Sequence, residues 1–503
     1  MIKIPKVHTV FNNEIFVALG GTEYKADRNH MNYKVLNEDY IVTINDQLCE
    51  VRECRVSAIP FNRVWPGRQR DFSQSESAGF IYFSADEEVT LRVVSKKKFD
   101  SAVIRPLSKG IKAEVEGETI VFTLKEQGSY ILELDDEHNA LHIFYNPIKA
   151  YMGAESATYY FGPGMHFPGV ISVRDNDSVY IDEEAIVFGS INSTGAKNVR
   201  IFGGGILDNS CEERITEHCY ENFTKGTMRL YDCDNITIED VIMMNSSTWI
   251  LALFDCNHIT IDNVKIVGHW RYNTDGIDIV NTSNVIIKNS FVRSFDDTIT
   301  IKGIYDHPAS IENILVENCV LWCGWGNNCE IGIETQAPEY RNIIFKNCDL
   351  VHSSGPSLAV INGSYAAVHQ ITFENMNVEY QKSTHPDVYQ ESEEQIYDGY
   401  GKTGVPYLIS ISNPPYAIRT RNTNGAIRKV SSVFGKIYDV RFKNIYVFIE
   451  DEVPKPKINI TSYDENTKIQ EIIIENVYVN GNKQDEWDAF DVEIENAEAV
   501  VLK

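Results

Sequence analysis

A short pattern of hydrophobic and polar positions recurs along the second half of the chain. Each copy has a polar residue, then apolar, variable and apolar positions, then usually a charged residue followed by Asn or Asp. Copies start at residues 235, 258, 284, 313, 342 and 370, so they are 23 to 29 residues apart, and two more start at residues 439 and 471. The alternation predicts a short β-strand in each copy. A repeat of this length predicts a parallel β-helix, whose stacked coils bury one apolar column.

Two other repeat architectures have a similar period and fit the pattern less well. Leucine-rich repeats require a Leu-x-x-Leu-x-Leu frame, which is absent, and the β-branched residues at alternate positions exclude helical repeats. The Asn or Asp that ends each copy can hydrogen-bond the bending backbone at a corner. Stacked copies of it are therefore expected to form a ladder.

The first 148 residues have a different pattern. Short alternating or apolar runs recur between turn signals, for example at 40–44, 80–83 and 119–124, and no long segment has a helical period. We therefore predict an all-β protein with a β-sandwich domain over 1–148 and a β-helix domain over 149–503. The long step from the copy at 370 to the copy at 439 contains an insertion, 380–435, rich in aromatic residues and glycine. Such loops usually lie near the binding face, so we expect this one beside the cleft.

The bulk composition narrows the classes of partner. With 43% hydrophobic residues and no run long enough to span a bilayer, the chain has a globular composition and no expected membrane partner. A net charge of −26 argues against nucleic acid and favours a neutral substrate. No signal-peptide pattern opens the chain and no CxxC pair occurs among ten cysteines, which predicts a cytoplasmic protein, or a secreted one if a leader was removed. The oligomeric state is left open.

Three carboxylates lie in two clusters among the repeats. Asp275 stands just before one alternating apolar run, and Asp296 and Asp297 stand just before the next, 21 residues later. If this spacing is one coil, the two clusters lie on neighbouring rungs. Carboxylates so close together raise one another's pKa, which destabilises the fold. General acid–base chemistry is the usual reason for keeping such a group.

The sequence around these acids resembles the polygalacturonase family, glycoside hydrolase family 28, and its clan relative family 49, the dextranases and isopullulanases. Residues 273–276 match the family's Asn-Thr-Asp-Gly, Asp296 and Asp297 match its Asp-Asp pair, and 245–249 resemble its Asn-Ser-Pro-x-Trp segment. The resemblance implies a right-handed, pectin-lyase-like β-helix and an inverting glycoside hydrolase that needs no metal or other cofactor. By that resemblance, Asp296 is the general acid, while Asp275 and Asp297 hold and activate water.

Two departures from family 28 bear on the substrate. The family's Gly-His-Gly is replaced by Gly324-Trp325-Gly326, and no Arg-Ile-Lys follows to bind a uronate carboxylate. Without such a cation, a uronate carboxylate would stay unpaired in an acidic cleft, which is costly. A leading β-sandwich is also more typical of the dextranase group. The sequence therefore favours a neutral α-linked glucan, with a polygalacturonase-type pectin hydrolase as the alternative.

Several residues near the acids are candidates for binding the carbohydrate. Lys302 follows the acid pair on the same predicted strand, where it could bond a hydroxyl or lower the pKa of an acid. Trp325 and Trp270 are candidates for stacking on a sugar ring. The other candidates are polar residues that could bond hydroxyl groups or orient an acid, namely Asn273, Glu330, Glu334, His269 and Arg271.

Two other functions are compatible with the predicted fold. A polysaccharide lyase abstracts a proton beside a uronate carboxylate with a basic residue, commonly with calcium, and three acids could hold that ion. A non-catalytic carbohydrate-binding solenoid is the other alternative, but it gains little from three carboxylates that repel one another. The intact acid set favours hydrolysis over both.

Overall fold

The computed structural model describes most of the chain, and nearly all of its regular structure is β-strand. The described residues are 1–8, 34–58, 75–212, 226–304, 308–381, 405–414, 435–449 and 455–503, with the backbone of six short strands between these ranges. Short 3-10 helices occur at Leu107–Lys109, Ala154–Ser156, Glu465–Thr467 and Trp487–Ala489. Within the described residues, no helix has the length and hydrophobicity needed to cross a bilayer.

Two antiparallel-rich sheets occupy the N-terminal region. Their strands, with one separate hairpin (β2 and β3), are β1 (Ile2–Lys3), β2 (Phe16–Leu19), β3 (Thr22–Lys25), β4 (Tyr40–Ile44), β5 (Gln47–Cys49), β6 (Arg52–Ser57), β7 (Ser75–Ala85), β8 (Val89–Ser95), β9 (Ala102–Arg105), β10 (Glu114–Glu116), β11 (Thr119–Leu124), β12 (Gly128–Leu134) and β13 (Asp136–Asn146). One sheet has the order β1-β7-β13-β12-β9 with β6 also paired to β7, and the other has the order β10-β11-β8-β4-β5. Alternate residues of both sheets, such as Val42, Leu91, Ile120 and Leu132, share one buried core. This is the predicted β-sandwich.

The rest of the described chain forms one continuous, mainly parallel sheet that winds into coils, together with two separate hairpins. Its strands are β14 (Tyr159–Phe161), β15 (Gly164–Ser172), β16 (Ser178–Ile181), β17 (Ala185–Thr194), β18 (Lys197–Phe202), β19 (Ile206–Asp208), β20 (Met228–Tyr231), β21 (Asp234–Glu239), β22 (Ile242–Met244), β23 (Leu251–Phe254), β24 (Asn257–Asp262), β25 (Lys265–Ile266), β26 (Ile277–Val280), β27 (Ser283–Lys288), β28 (Phe291–Ser294), β29 (Ile299–Gly303), β30 (Ile311–Glu317), β31 (Val320–Cys323), β32 (Cys329–Thr335), β33 (Glu339–Lys346), β34 (Asp349–Ser353), β35 (Leu358–Ile361), β36 (Ala367–Val368), β37 (Ile371–Tyr380), β38 (Val388–Tyr389), β39 (Asp398–Gly399), β40 (Tyr407–Asn413), β41 (Ala417–Ile418), β42 (Lys429–Val430), β43 (Lys436–Ile449), β44 (Lys457–Ser462), β45 (Ile469–Val479), β46 (Asn482–Gln484), β47 (Asp491–Glu495) and β48 (Ala497–Leu502). Strands β38, β39, β41 and β42 form two separate hairpins.

Three strands make each central coil, and each strand pairs in parallel with the strand three places along the chain. We call the three faces the cleft sheet (β20, β23, β26, β29, β32, β35), the repeat sheet (β21, β24, β27, β30, β33) and the junction sheet (β22, β25, β28, β31, β34). The inward side chains of all three faces form one long aliphatic column. The prediction of a right-handed parallel β-helix preceded by a β-sandwich is confirmed.

The repeated sequence units form the repeat sheet, and both ends of every unit lie at corners. At these ends φ is positive, between 50° and 64°, a conformation that Asn adopts more readily than most residues. The side chains stack between coils: Asn313 donates to Asn284 over 2.8 Å, and Asn342 donates to Asn313 over 2.7 Å. A second ladder joins the last residues of the units, for example Asn375 to Asn347 over 2.9 Å. The ladder of the last residues is the one predicted from the sequence, and it is confirmed. The ladder of the first residues was not predicted.

The sandwich packs against the junction sheet. Phe80 and Phe144 from the sandwich share a buried cluster with Phe291, Trp322 and Val351 of the coils. This contact gives the N-terminal sheets a fixed place beside the strands that lead into the acid-bearing loops. The predicted insertion 380–435 lies largely outside the described residues, so its expected place beside the cleft stays a prediction.

Candidate active site

The structure brings the three predicted acids together on neighbouring coils. Asp275 lies in the loop before β26, and Asp296 and Asp297 lie in the loop before β29. The two loops are stacked by backbone hydrogen bonds, because the amide of Gly276 donates to the carbonyl of Asp297 over 2.7 Å. The strands that follow pair in register, with Ile277 opposite Ile299. The 21-residue spacing seen in the sequence is therefore one coil.

Lys302 lies at the centre of the acids. Its ammonium group is 2.8 Å from Asp275 Oδ2, 3.2 Å from Asp278 Oδ1 and 3.2 Å from Asp297 Oδ2. Burial alone would lower the pKa of Lys302, but these carboxylates outweigh it and raise the pKa well above its ordinary value. The lysine therefore stays charged and offsets part of the repulsion among the acids.

The surroundings of Asp275, Asp278 and Asp296 raise the pKa values of these acids. Burial raises the pKa of Asp275 to about 6; the charge of Lys302 lowers it, and that of Asp297 raises it. Burial also raises the pKa of Asp296 well above its ordinary value, and the charges of Asp275 and Asp297 add to that shift. Within the described residues, Lys302 forms ion pairs with Asp275, Asp278 and Asp297 but not with Asp296. Burial also raises the pKa of Asp278, which does contact Lys302, well above its ordinary value. The cluster thus places carboxyl groups of raised pKa beside a lysine that stays charged.

The next coil supplies a second layer of polar contacts. The amide of Asn327 donates to Asp297 Oδ1 over 2.9 Å, and its side chain donates to Glu330 Oε1 over 2.8 Å. Burial raises the pKa of Glu330 well above its ordinary value, and the charge of Asp297 adds to the shift. Glu330 was predicted from the sequence, and the structure places it next to the acids through Asn327.

The Gly324-Trp325-Gly326 loop closes over the acid pair. A side chain at Gly326 would clash with the carboxylate oxygens of both Asp296 and Asp297, so only glycine fits this approach. Trp325 is half-buried between two other rings, 5.6 Å from Tyr272 and 5.8 Å from Phe295 between ring centroids. This aromatic group beside the acids fits the predicted stacking on a sugar ring.

The other candidates from the sequence divide into two groups. Asn273 donates to Asp275 Oδ1 over 3.1 Å, and Glu334 is close enough to raise the pKa of Lys302, so both lie beside the acids. The second group is Trp270 and Arg271, which contact each other. Trp270 is buried, and the guanidinium of Arg271 lies 5.6 Å from the centre of its ring. Arg271 also donates to the carbonyl of Glu212 over 2.9 Å.

The side chain of His269 contacts backbone groups of the preceding coil. It is buried, and its ring nitrogens are 3.4 Å from the amide of Ser246 and 3.3 Å from the carbonyl of Met243. Burial lowers its pKa to about 3, so the ring is neutral, accepting from Ser246 and donating to Met243. Its two nitrogens are used by the backbone, so a role in orienting an acid or binding substrate is not supported.

Two polar residues of the cleft sheet were not among the candidates predicted from the sequence. Asp278 lies opposite Thr300 on the outer side of the sheet and contacts Lys302. Alternation offered a signal, since Ile277 and Ile279 point inward and Asp278 must point outward. Arg229 lies on the same side, two strands away, and is completely buried. Its strand, Met-Arg-Leu-Tyr, has an ordinary alternating pattern and gives no signal of a site.

A metal site was not expected from the resemblance. Among the described residues, no group of three or more His, Cys, Asp or Glu side chains is arranged to hold a metal ion. The carboxylates that come closest together do so around the ammonium group of Lys302.

Comparison with known proteins identifies the relatives of the coiled region. Residues 161–407 match the family model of glycosyl hydrolases family 28. A probable rhamnogalacturonase B from Aspergillus terreus is 30% identical over 148 residues, which cover 29% of this chain and 26% of the relative. An exopolygalacturonase from Cochliobolus carbonum is 26% identical over 214 residues, covering 37% and 46% of the two chains. The chain spans about half or less of the length of the curated relatives it matches.

Among solved structures, Dex49A from Penicillium minioluteum is similar over most of both chains. The match covers 91% of this chain and 94% of that one, with a TM-score of 0.54 and 13% sequence identity. At this identity the likeness concerns the fold, and it extends over the sandwich as well as the β-helix.

The prediction of a cytoplasmic protein is wrong. The curated relatives are mostly secreted, extracellular fungal and plant exopolygalacturonases, which does not fit a cytoplasmic location. The cysteines misled the inference: the nine within the described residues are free, and eight of them are buried. Buried thiols act as small apolar side chains, so they carry no information about the redox compartment.

The family match covers both acid loops, the loop of Trp325 and the strands between them. The motifs that indicated the family from the sequence are the ones that the fold stacks into a single cluster. The resemblance is confirmed: over residues 161–407, this chain is a relative of glycosyl hydrolases family 28.

Proposed function

We propose that this chain is an inverting glycoside hydrolase that cleaves an α-linked glycan at the acid cluster. The observation that carries the proposal is the geometry of the cluster: Asp296, whose pKa is raised well above its ordinary value, lies beside Asp275 and Asp297, which contact the ammonium group of Lys302. Inverting hydrolysis needs one protonated carboxyl group and one ionised carboxylate. The family match and the names of the curated relatives, rhamnogalacturonase and exopolygalacturonase, support the same reaction class.

Each acid has a defined step in this mechanism. Asp296 gives its proton to the glycosidic oxygen as the bond from that oxygen to the anomeric carbon breaks. Asp275 and Asp297 orient a water molecule and take one of its protons while the water oxygen bonds the anomeric carbon from the opposite face. The products are a hemiacetal of inverted configuration and a free alcohol. Asp296 ends ionised, and the base pair ends with the extra proton.

Lys302 separates hydrolysis from a lyase reaction. A calcium ion among these acids would meet the ammonium charge already in contact with three of them. The raised pKa of Lys302 also keeps it protonated, so it is a poor base for abstracting a proton beside a carboxylate. The mechanism we propose uses no metal.

An acidic glycan replaces the neutral glucan as the proposed substrate. The preference for a neutral substrate depended on the net charge, on the leading β-sandwich and on the missing Arg-Ile-Lys. A buried arginine, Arg229, nevertheless lies on the outer side of the cleft sheet. The relatives of 24–30% identity named as exopolygalacturonases and a rhamnogalacturonase favour the same class of substrate.

The test is product analysis of the wild type and Asp296→Asn on polygalacturonate, dextran and pullulan, with the anomeric configuration read by NMR. We expect inverted product from polygalacturonate and a loss of about 10²- to 10⁴-fold in kcat in the variant, typical for removal of a general acid. Asp136→Asn, an exposed acid on the sandwich, is the matched control and keeps wild-type activity.

Three results would contradict the proposal. Product of retained configuration would exclude inversion. Unsaturated product that absorbs in the ultraviolet would establish a lyase. Full activity in Asp296→Asn would remove this residue from the mechanism.

A further inference from the structure

A groove runs between the sandwich and the coils. It encloses about 750 Å³, a volume within the range of sites that bind small molecules. Its sandwich wall includes Ser108, Lys109 and the turn 127–129, and its coil wall is the corner where the repeat sheet meets the junction sheet. The asparagines of the ladder of the last residues line that corner. We call this space the ladder groove.

The coil wall presents hydrogen-bonding groups at a regular step. Asn289, Asn318 and Asn347 are exposed at equivalent positions of three successive coils. The coils are about 4.8 Å apart, close to the length of one pyranose unit along a glycan. Each amide group both donates and accepts hydrogen bonds, as a sugar hydroxyl does. The wall therefore matches a glycan that runs along the coil axis, with one sugar to a coil.

The ladder is interrupted in the middle of this wall. Asn318 donates to Asn289 over 3.4 Å, and Asn375 donates to Asn347 over 2.9 Å. Within the described residues, no hydrogen bond joins the side chains of Asn318 and Asn347, although both line the groove. A bridging hydroxyl group would close this gap, because it can donate to an amide oxygen on one side and accept from an amide nitrogen on the other.

An aromatic ring stands at the C-terminal end of the groove. Tyr446 is 37% exposed, and its ring stacks on that of Tyr478 in the next coil, with 5.2 Å between centroids and 11° between planes. Tyr446 pairs with Asn377 of the preceding coil, and both of these residues line the groove. Because Tyr478 covers one face of the ring, the other face is the one beside Asn377. Such a ring face can pack against the apolar face of a sugar.

The carboxylates of the lining are already bonded within the protein. Asp349 accepts hydrogen bonds from Ser108 over 2.5 Å and from Asn377 over 2.9 Å. Asp262 accepts one from Asn289 over 2.8 Å. The groove therefore does not present free carboxylates that would repel an acidic glycan.

The rest of the lining fits a glycan better than a protein partner. It consists mainly of amide and hydroxyl groups, two lysines and the ring of Tyr446. Among the described residues, the aliphatic side chains in the lining are those of Pro147 and Val320. A protein interface has a more apolar core than this, whereas the hydroxyl groups of a glycan match the amides.

The ladder groove is separate from the acid cluster. Asn289 precedes strand β28 on the groove side, and Asp296 and Asp297 follow this strand at its other end. The sandwich packs against Phe291 of the same strand. The junction sheet and the sandwich therefore stand between the groove and the cleft.

We propose that the ladder groove binds a glycan chain through its hydroxyl groups, as a second carbohydrate site remote from the acids. The site needs both walls, so it gives the sandwich a share in binding. A polymer held here stays close to the cleft, which raises its effective concentration there. Binding in the groove does not depend on the proposed function, whereas its effect on hydrolysis does.

Binding is counted by calorimetry with hexagalacturonate in the Asp296→Asn background, where no cleavage consumes the ligand. We expect two molecules per chain, one in the cleft and one in the groove, and one molecule in the double variant Asn347→Gly, Tyr446→Ala. Each single change should weaken the groove site by about 3- to 10-fold, the range for one neutral hydrogen bond or one ring contact. The second molecule should persist at high salt, because hydroxyl contacts are not screened.

Two matched variants separate binding from stability. Asn342→Gly removes one ladder bond at the opposite corner of the same repeat unit, at φ of 53° against 54° for Asn347. It should lower Tm as much as Asn347→Gly does and still bind two molecules. Tyr160→Ala, which removes an exposed ring stacked on Tyr180 outside the groove, should also bind two.

Kinetics gives an independent readout in the chain that retains Asp296. The double variant should raise KM for polygalacturonate by about 3- to 10-fold and leave kcat unchanged, because the chemistry is untouched. Its KM for digalacturonate should stay at the wild-type value, because so short a substrate cannot reach from the groove to the cleft.

Several results would overturn the inference. One bound hexagalacturonate in the parent would exclude the groove, and equal loss of binding in Asn342→Gly and Asn347→Gly would make the effect structural. Loss of the second molecule at high salt would assign the binding to Lys109 and Lys149 instead of to hydroxyl contacts. Two bound molecules in a chain that hydrolyses no glycan would retain the groove and overturn the proposed function.

Discussion

At the scale of single residues, Lys302 sets the charge balance of the cleft. Three carboxylates lie within 3.2 Å of one ammonium group in a region almost without solvent exposure. The lysine stabilises this cluster, because without it the buried carboxylates have no counter-charge. The same contact lowers the pKa of Asp275, so it acts on the pH dependence of the reaction.

Replacing Lys302 by Met is expected to move the acidic limb of the pH–kcat/KM profile to higher pH. In the wild type this limb should lie near the pKa of Asp275, about 6, because that carboxylate must be ionised to activate water. Without Lys302 the pKa of Asp275 rises further, so activity at mildly acidic pH is lost first. Lys302→Arg should keep the limb in place, and Lys288→Met, at a half-buried lysine paired with Asp262, is the control. An unshifted limb in Lys302→Met would contradict this assignment.

Single residues also show where sequence reasoning ends. The acids and their spacing were readable because the motifs are local and the coil period is regular. His269 lies four residues before the first motif, yet the turn after β25 directs it to backbone groups of the preceding coil. Arg229 lies 49 residues before Asp278 and reaches the same side of the cleft sheet, two strands away, only through two strand pairings. Side-chain direction in a turn and proximity across coils are properties of the folded state.

At the scale of elements, the corners of the repeat sheet explain why the repeat is visible in the sequence. Positions with φ near +55° strongly disfavour β-branched and bulky residues, so Asn and Asp recur there. The strand between two corners keeps its alternation because one face is interior. Fold prediction succeeded because both constraints act within six residues and repeat at every coil.

Asn313→Ala is expected to destabilise the β-helix by about 1–2 kcal/mol, measured by thermal or denaturant unfolding. The change removes a hydrogen bond to Asn284 and one from Asn342, and it places a Cβ without a local hydrogen bond at φ of 60°. Asn313→Gly is the matched variant, because it removes the same bonds but relieves the backbone. A smaller loss for Gly than for Ala would separate the two contributions, and equal stability of both variants and wild type would show that the ladder contributes nothing.

At the scale of the whole molecule, a buried ionic network ties the sandwich to the coils. Glu133 of the sandwich is 2.5 Å from Arg105 and 2.5 Å from His352 of β34, and Arg105 also bonds Glu379 of β37. These partners are up to 274 residues apart in sequence. No local sequence pattern predicts a contact between residues so far apart. The fold of the sandwich could therefore be predicted, but its packing against the junction sheet could not.

This network predicts how stability depends on pH. Burial alone would raise the pKa of Glu133, but His352 and Arg105 lower it to about 2 from an ordinary 4.5. Ionised Glu133 therefore stabilises the folded state above about pH 4.5, and this contribution is lost as the pH falls towards 2. Glu133→Gln should lower Tm at neutral pH and flatten its fall in acid. Glu116→Gln, an exposed position on the same sandwich, should leave the acid dependence unchanged, and an unaltered profile in Glu133→Gln would refute the role of this network.

The outward side chains of the cleft sheet are arranged in a simple geometry for substrate specificity. Each strand of the cleft sheet contributes outward side chains at alternate positions, such as Asp278 and Val280 of β26, while the residues between them face the interior. A glycan bound along the coil axis therefore contacts a new set of outward side chains in each coil. Substituting one outward residue changes the contacts in one coil without disturbing the packed interior. Single substitutions at outward positions therefore offer a route by which enzymes with this architecture diverge in substrate.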